Sequence, residues 1–104
     1  CGLWHTLLND KGSYLEVSAT AGFAYGILKS IRMGILDKKY KHMALKAVKA
    51  VVDNIDGDGT VLNVSYGTGM GQTLQDYRDI PVCPMTYGQS MVIMMLAEVM
   101  NLQK

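Results

Sequence analysis

The sequence is poor in the residues that small domains most often use for chemistry. Only two of its 104 residues are cysteine and two are histidine, too few for a disulfide scaffold or a zinc cluster. His5, His42, Cys1 and Cys83 show no zinc-ligand spacing, so both cysteines read as free thiols and no metal is expected. A GxSxG turn is absent, and with so little histidine a serine or cysteine triad has nothing to draw on. No apolar run reaches 18 residues, and the longest, Met91 to Met100, reads as a buried helix and not as a membrane span. Charge of one sign is also missing. Ten basic and nine acidic side chains leave a formal +1, which argues against nucleic-acid or anionic-membrane binding driven by net charge. No signal peptide is visible.

What is present is apolar material. Hydrophobic residues make up 49% of the chain and charged ones only 18%, a balance that folds and does not stay disordered. At this length one domain is the ceiling. Gly2 to Leu8 reads as a strand or extended arm ending in a turn over Asn9 to Gly12. A helix follows from Glu16 to about Ile35, where Ala24, Ile27, Leu28, Ile31 and Ile35 recur at helical spacing and Ala19 and Phe23 widen the apolar face. Gly22 and Gly26 lie one turn apart in it, each costing about 1 kcal/mol against alanine, which implies close packing or ligand access there. A second helix is expected from its N-cap Asp37 to about Ile55, with Tyr40, Met43, Ala44, Ala47, Val48, Val51 and Ile55 on one stripe. Lys38, Lys39, Lys41, Lys46 and Lys49 fall mostly off that stripe and read as a solvated outer face. Asp56 to Gly59 turns the chain into a strand over Thr60 to Ser65, Tyr66 to Met85 reads as a long loop with a function, and a last helix spans about Thr86 to Asn101.

Between Met91 and Met100 only Glu98 is not apolar, so the last helix has to be enclosed on nearly every side. Three helices cannot wrap one another so that two are fully buried. The order buried, peripheral, buried belongs to an all-α double ring in which inner and outer helices alternate. Taken alone, the chain is therefore either part of a longer one or a module whose copies associate through the exposed faces of the first and third helices.

Few constellations suggest chemistry. Asn54 to Ser65 imitates a calcium loop, but its twelfth position is Ser65, where calcium needs a bidentate carboxylate, so a plain helix-to-strand turn is the reading. GTGMG (Gly67 to Gly71) lacks the spacing, lysine and following helix of a nucleotide loop. It reads as a loop whose backbone approaches a ligand closely, or as a merely flexible one. Met91, Met94, Met95 and Met100 read as adaptable core packing. For glycosidic acid/base work the carboxylates to weigh are Glu16, Asp76 and Asp79. Glu16 opens a helix, where a carboxylate also stabilises the helix dipole, and the two aspartates read as surface contacts.

The succession GLW (Gly2 to Trp4), YLEVSATAGFAYGILKSIRMGIL (Tyr14 to Leu36), DGTV (Asp58 to Val61), GTGMG and MTYGQSMVIMMLAEVM (Met85 to Met100) resembles the C-terminal part of unsaturated rhamnogalacturonyl hydrolases. These are glycoside hydrolase family 105 enzymes, related to the family 88 unsaturated glucuronyl hydrolases. The order of the motifs carries the resemblance, which covers essentially the whole chain. It implies an (α/α)6 double-ring barrel of the six-hairpin glycosidase type, of which residues 1–104 are about a third, with a short β-hairpin. It implies further that an unsaturated uronic acid is released from pectin-derived oligosaccharides by hydration of the sugar's double bond, with an aspartate as general acid/base and no cofactor. No aspartate here falls in that motif, so the acid is expected upstream and the isolated 104 residues are expected to be inactive. The residues carried over as pocket wall are Trp4, Glu16, Ser18, Tyr66, Gly67, Thr68, Gly69 and Tyr87. Where the family more often has a PYG-type run, this chain has Thr86-Tyr87-Gly88 preceded by Cys83-Pro84, a departure that bears on the path into the last helix and on substrate preference. The resemblance implies a bacterial cytoplasmic location, with the periplasm as the alternative. A non-catalytic helical self-association module is the rival reading.

Overall fold

The first helix starts where it does because Glu16 caps it. Glu16 has extended dihedrals, and its carboxylate accepts the Ala19 N–H at 2.6 Å, satisfying one of the donors that a helix start leaves open. The helix it opens, α1, spans Val17–Arg32 in the computed structural model, which describes residues 1–102. Just before it, β1 (Trp4–His5) and β2 (Leu15–Glu16) pair antiparallel with Trp4 opposite Glu16. Thr20 Oγ1 accepts the Trp4 N–H at 2.9 Å, which ties this hairpin to the first turn of α1.

α1 stops short of the expected Ile35. Gly34 takes φ +78°, its N–H bonds to the Ile31 carbonyl and that of Ile35 to the Ser30 carbonyl, the Schellman arrangement that ends a helix at a left-handed glycine. Ile35 is thereby turned out to solvent. Asp37 does cap, accepting the Lys39 N–H at 2.8 Å, but it caps a 3₁₀ turn over Lys38–Tyr40 that precedes α2, Lys41–Val52. Ile55 lies beyond α2, in a turn that bridges to Val61. Of the expected stripe, Ala44, Ala47, Val48 and Val51 are buried, whereas Tyr40 and Met43 are exposed.

The expected strand over Thr60 to Ser65 contracts to β3, Val64–Ser65, because Asn63 at φ 61° breaks the extended run. The segment read as loop is more ordered than expected. It holds α3, Leu74–Arg78, and β4, Val82–Cys83, which pairs antiparallel with β3. α3 is set by a capping box: Thr73 Oγ1 accepts the Asp76 N–H while the Asp76 carboxylate accepts the Thr73 N–H. The last helix, α4, spans Thr86–Asn101, as the pattern predicts.

α1 packs against α2 on one side and α4 on the other, around Val17, Ala21, Ala24, Leu28, Val48, Val51, Val92 and Met95, with Val61 and Val64 closing the end. α1 and α4 run in the same direction. Their starts meet at Ser65, which bonds both Glu16 and Tyr87, and their ends meet at an ion pair in which Glu98 accepts from Arg32 Nε at 2.6 Å and from Nη2 at 3.3 Å. At the crossing of α4 and β3 only glycine fits, since a Cβ on Gly88 would stand 2.6 Å from Val64 Cγ2.

α4 is not enclosed on every side. It buries one stripe, Gly88, Val92, Met95 and Glu98, while Ile93, Met94 and Met100 on α4 and Phe23 on α1 are 42–64% exposed. The surface of 6585 Å² exceeds the roughly 5,800 Å² of a compact monomer of this size. The radius of gyration, 14.1 Å, likewise exceeds the roughly 12.9 Å of a compact chain of this length. Among the described residues no helix is long and apolar enough to cross a membrane.

Two outcomes follow for the full-length protein. Gly88→Ala overpacks Val64, and the clash outweighs alanine's better helix propensity, so unfolding by denaturant should show a net loss of about 1–2 kcal/mol; an unchanged midpoint would contradict the close approach. Hydrogen bonding to Arg32 holds the Glu98 carboxyl below its ordinary 4.5. That stabilisation is present above 4.5 and is lost as the pH falls through the lowered folded value. The melting temperature of Glu98→Gln should therefore lie below wild type at neutral pH and converge with it in acid, whereas a gap independent of pH would deny the charge any role.

Candidate functional site

A cleft of about 380 Å³ opens where the β1–β2 hairpin, the start of α1, β3 and the start of α4 converge, walled by His5, Glu16, Ser18, Phe23, Thr68 and Tyr87 among others. Glu16 and Ser18 are both 5% exposed. Glu16 Oε1 accepts from Ser18 Oγ at 2.7 Å as well as from Ala19 N, and Oε2 accepts from Ser65 N at 2.8 Å and from Ser18 Oγ at 2.9 Å. With both oxygens bonded inside the fold, this carboxylate serves as a fixed anion that joins α1 to β3, not as a mobile acid or base.

Tyr87 is carried to the cleft by the first turn of α4 and donates its hydroxyl to the Ser65 carbonyl. Burial, and then the negative charge of Glu16, push its phenol above the usual 10.0, so it stays a neutral donor at ordinary pH. The Tyr14 hydroxyl lies 2.8 Å from Ser65 Oγ. His5 Nδ1 stands 2.6 Å from the Ser13 carbonyl; because a carbonyl only accepts, Nδ1 donates there and Nε2 is left on the other side of the ring.

The structure brings together Glu16, Ser18, Thr68 and Tyr87 of the expected wall. Trp4 lies alongside, its ring edge-on to Phe23 with centroids 5.2 Å apart, and borders an adjoining apolar groove with Leu8, Gly22 and Gly26. Gly69 faces a separate hollow with Asp76 and Tyr77, while Tyr66 and Gly67 are exposed and off the cleft wall. The cleft wall also takes in His5, Phe23, Ser65 and Met91. In sequence Phe23 and Met91 read as core faces and Ser65 as the end of a strand, and no local signal separates those roles from a place at the rim. Asp56 and Asp58 accept N–H groups of their own turn, from Gly57 and Thr60, and Asp79 accepts from Gln75 at 2.8 Å on the surface. Among the described residues no three His, Cys, Asp or Glu side chains converge as a metal site.

Residues 1–103 match the family described as Glycosyl Hydrolase Family 88. The chain belongs to that family. This family 88 chain is 36% identical to the unsaturated rhamnogalacturonyl hydrolase YesR of Bacillus subtilis, over 99% of its own length and 28% of that protein. Its fold superposes with a TM-score of 0.97 and 51% identity on a possible member of the GH105 family from Klebsiella pneumoniae, covering 99% of this chain and 27% of that one. A family 105 glycoside hydrolase from C. acetobutylicum shares the fold at a TM-score of 0.83 and 24% identity, over 95% of this chain and 32% of that one. The family 88 chain thus spans about a third or less of these proteins' lengths.

In the full-length protein Glu16→Gln sets an amide NH₂ against donors that the carboxylate now accepts from. Chemical denaturation should show a loss of about 1–3 kcal/mol, and Ser18→Ala, which removes only one of those donors, should cost less. Wild-type stability in Glu16→Gln would show the carboxylate's contacts to be dispensable.

Proposed function

We propose that residues 1–104 belong to a glycoside hydrolase that releases an unsaturated uronic acid from pectin-derived, rhamnogalacturonan-type oligosaccharides. In this reading the cleft of Glu16, Ser18, Thr68 and Tyr87 is one section of its substrate pocket. The observation that carries the reading is the match along the whole chain to family 88 and to an unsaturated rhamnogalacturonyl hydrolase. The chemistry of the cleft agrees with it. Its polar groups are hydroxyls, a phenol, an imidazole and the Glu16 carboxylate, which suit the donor and acceptor pattern of a sugar. Hydration of the enol-ether double bond needs a proton delivered to carbon and a water added beside it, work for an acid that is free to exchange its proton. Glu16 is fully engaged and does not meet that need; in this reading the acid/base is the upstream aspartate that the family resemblance implies, and residues 1–104 are a C-terminal section of the domain.

The same reading accounts for the exposed apolar faces. In an (α/α)6 double ring, α1 and α4 are inner helices running in parallel with their starts at the pocket, α2 is an outer helix, and neighbouring inner helices cover Phe23, Ile93 and Met94. The relatives lend no support to a non-catalytic self-association module, and the faces available for a homo-oligomer are those that the ring covers. A bacterial cytoplasmic location goes with this reading.

Full-length protein mixed with an unsaturated rhamnogalacturonan disaccharide should abolish the ultraviolet absorbance of the double bond and free rhamnose without added metal. The 104-residue piece alone should do neither. Thr68→Val and Tyr87→Phe in the full-length protein should raise KM several-fold, the loss expected for one neutral hydrogen bond. An intact double bond after prolonged incubation with the full-length protein would sink the reading.

A further inference from the structure

Ser65 is 5% exposed, and every polar atom it has is claimed by a side chain from a different place in the fold. Its N–H goes to Glu16 Oε2 at 2.8 Å, its carbonyl accepts from Tyr87, and its hydroxyl is paired with Tyr14 at 2.8 Å. In an antiparallel pair every other residue turns its N–H and C=O away from the partner strand; Ser65, opposite Val82 and next to the Tyr66 N–H that bonds the Pro81 carbonyl, is such a residue, and side chains fill both of its outward backbone groups. Three residues on, Thr68 stands in the cleft wall. The far end of the intervening loop is held independently, the Gly71 N–H to Tyr77 Oη at 3.1 Å and α3 to the β1–β2 turn by Arg78 Nε and Asp10 Oδ2 at 2.6 Å. Thr68 is therefore held from both sides, three residues from Ser65 and three from Gly71, with the Tyr66 N–H bonded to the Pro81 carbonyl at 2.9 Å on the Ser65 side.

We propose that Tyr14 and Ser65 are positioning residues of the cleft. Tyr14 is not in the cleft wall; its hydroxyl fixes Ser65, and Ser65 fixes the path on which loop 66–71 presents Thr68 to the sugar. The inference rests on the carbohydrate-hydrolase reading for its substrate, but the clamp itself is a property of the fold.

The test is a double-mutant cycle in the full-length enzyme with the unsaturated disaccharide. Tyr14→Phe removes one hydroxyl and leaves the ring's packing. It should raise KM about fivefold, the factor for one neutral hydrogen bond, with kcat within about twofold. Tyr14→Phe combined with Thr68→Val should bind no worse than Thr68→Val alone, because the first change acts only through the second residue. Additive effects, or an unchanged KM in Tyr14→Phe, would overturn the proposal. Hydrogen exchange separates the clamp from the activity: in Tyr14→Phe the Ser65 and Tyr66 amides should exchange about fivefold faster while those of α1 keep their rates. Wild-type exchange at those two amides would overturn the clamp whatever the substrate. Faster exchange in an enzyme that leaves the disaccharide intact would uphold the clamp and refute only the choice of substrate.

Discussion

A buried carboxylate is expensive unless its oxygens are filled, and the architecture around the cleft follows from how the oxygens of Glu16 are filled. One takes the amide at the start of α1, the other takes Ser65 of β3, and Ser18 bridges both. Helix start, strand and cleft wall are thereby set by one anion. Through Ser65 the arrangement reaches α4, since Tyr87 donates to the carbonyl of the residue whose amide Glu16 holds. A charge that looks in sequence like a candidate acid is, in space, the knot that the surrounding hydroxyls hang from.

The opposite end of the α1–α4 pair repeats the device with a different partner. Glu98, the one charge in an otherwise apolar run, is 4% exposed and bonded to Arg32. Between the two carboxylates the contact is made by small and flexible apolar side chains, Ala21, Ala24, Val92 and Met95, which fix separation but tolerate sliding. Polar ties at both ends remove that freedom and hold the two helices parallel with their starts together. A parallel pair cannot be joined by a short loop, so the chain needs α2 and the β3–β4 excursion to return to the same end, and that excursion is what delivers Thr68 and Ser65 to the cleft.

Much of this was legible from the residues, and the exceptions have local causes. The periodicity of Ala24, Leu28 and their neighbours located α1, and the run from Met91 to Met100 located α4, because burial of an apolar stripe is a signal many residues share. Boundaries failed where one backbone conformation decided them: Gly34 ended α1 early and Asn63 cut the strand to two residues. α3 does not stand out in the sequence although Thr73 and Asp76 stand three apart, because one capping box in a glycine-rich stretch is a weak pattern. Of the wall residues that the resemblance implies, Glu16, Ser18, Thr68 and Tyr87 line the cleft, while Tyr66, Gly67 and Gly69 lie off it. Ser65 and Tyr14 are not among the expected wall residues. Their contact spans 51 residues, and no spacing in the chain encodes it.

The incompleteness of the core was legible for a different reason. An amphipathic helix advertises one buried face, but α4 is apolar over more of its circumference than two neighbours can cover, and that surplus counts against any closed three-helix packing. In the structure the surplus lies on Ile93, Met94 and Met100 of α4 and on Phe23 of α1. The Glu16 ties point inward to the cleft, and the exposed apolar faces point outward from the core. Under the proposed double-ring reading, each further inner helix covers a neighbour's apolar face and brings its own start to the common pocket.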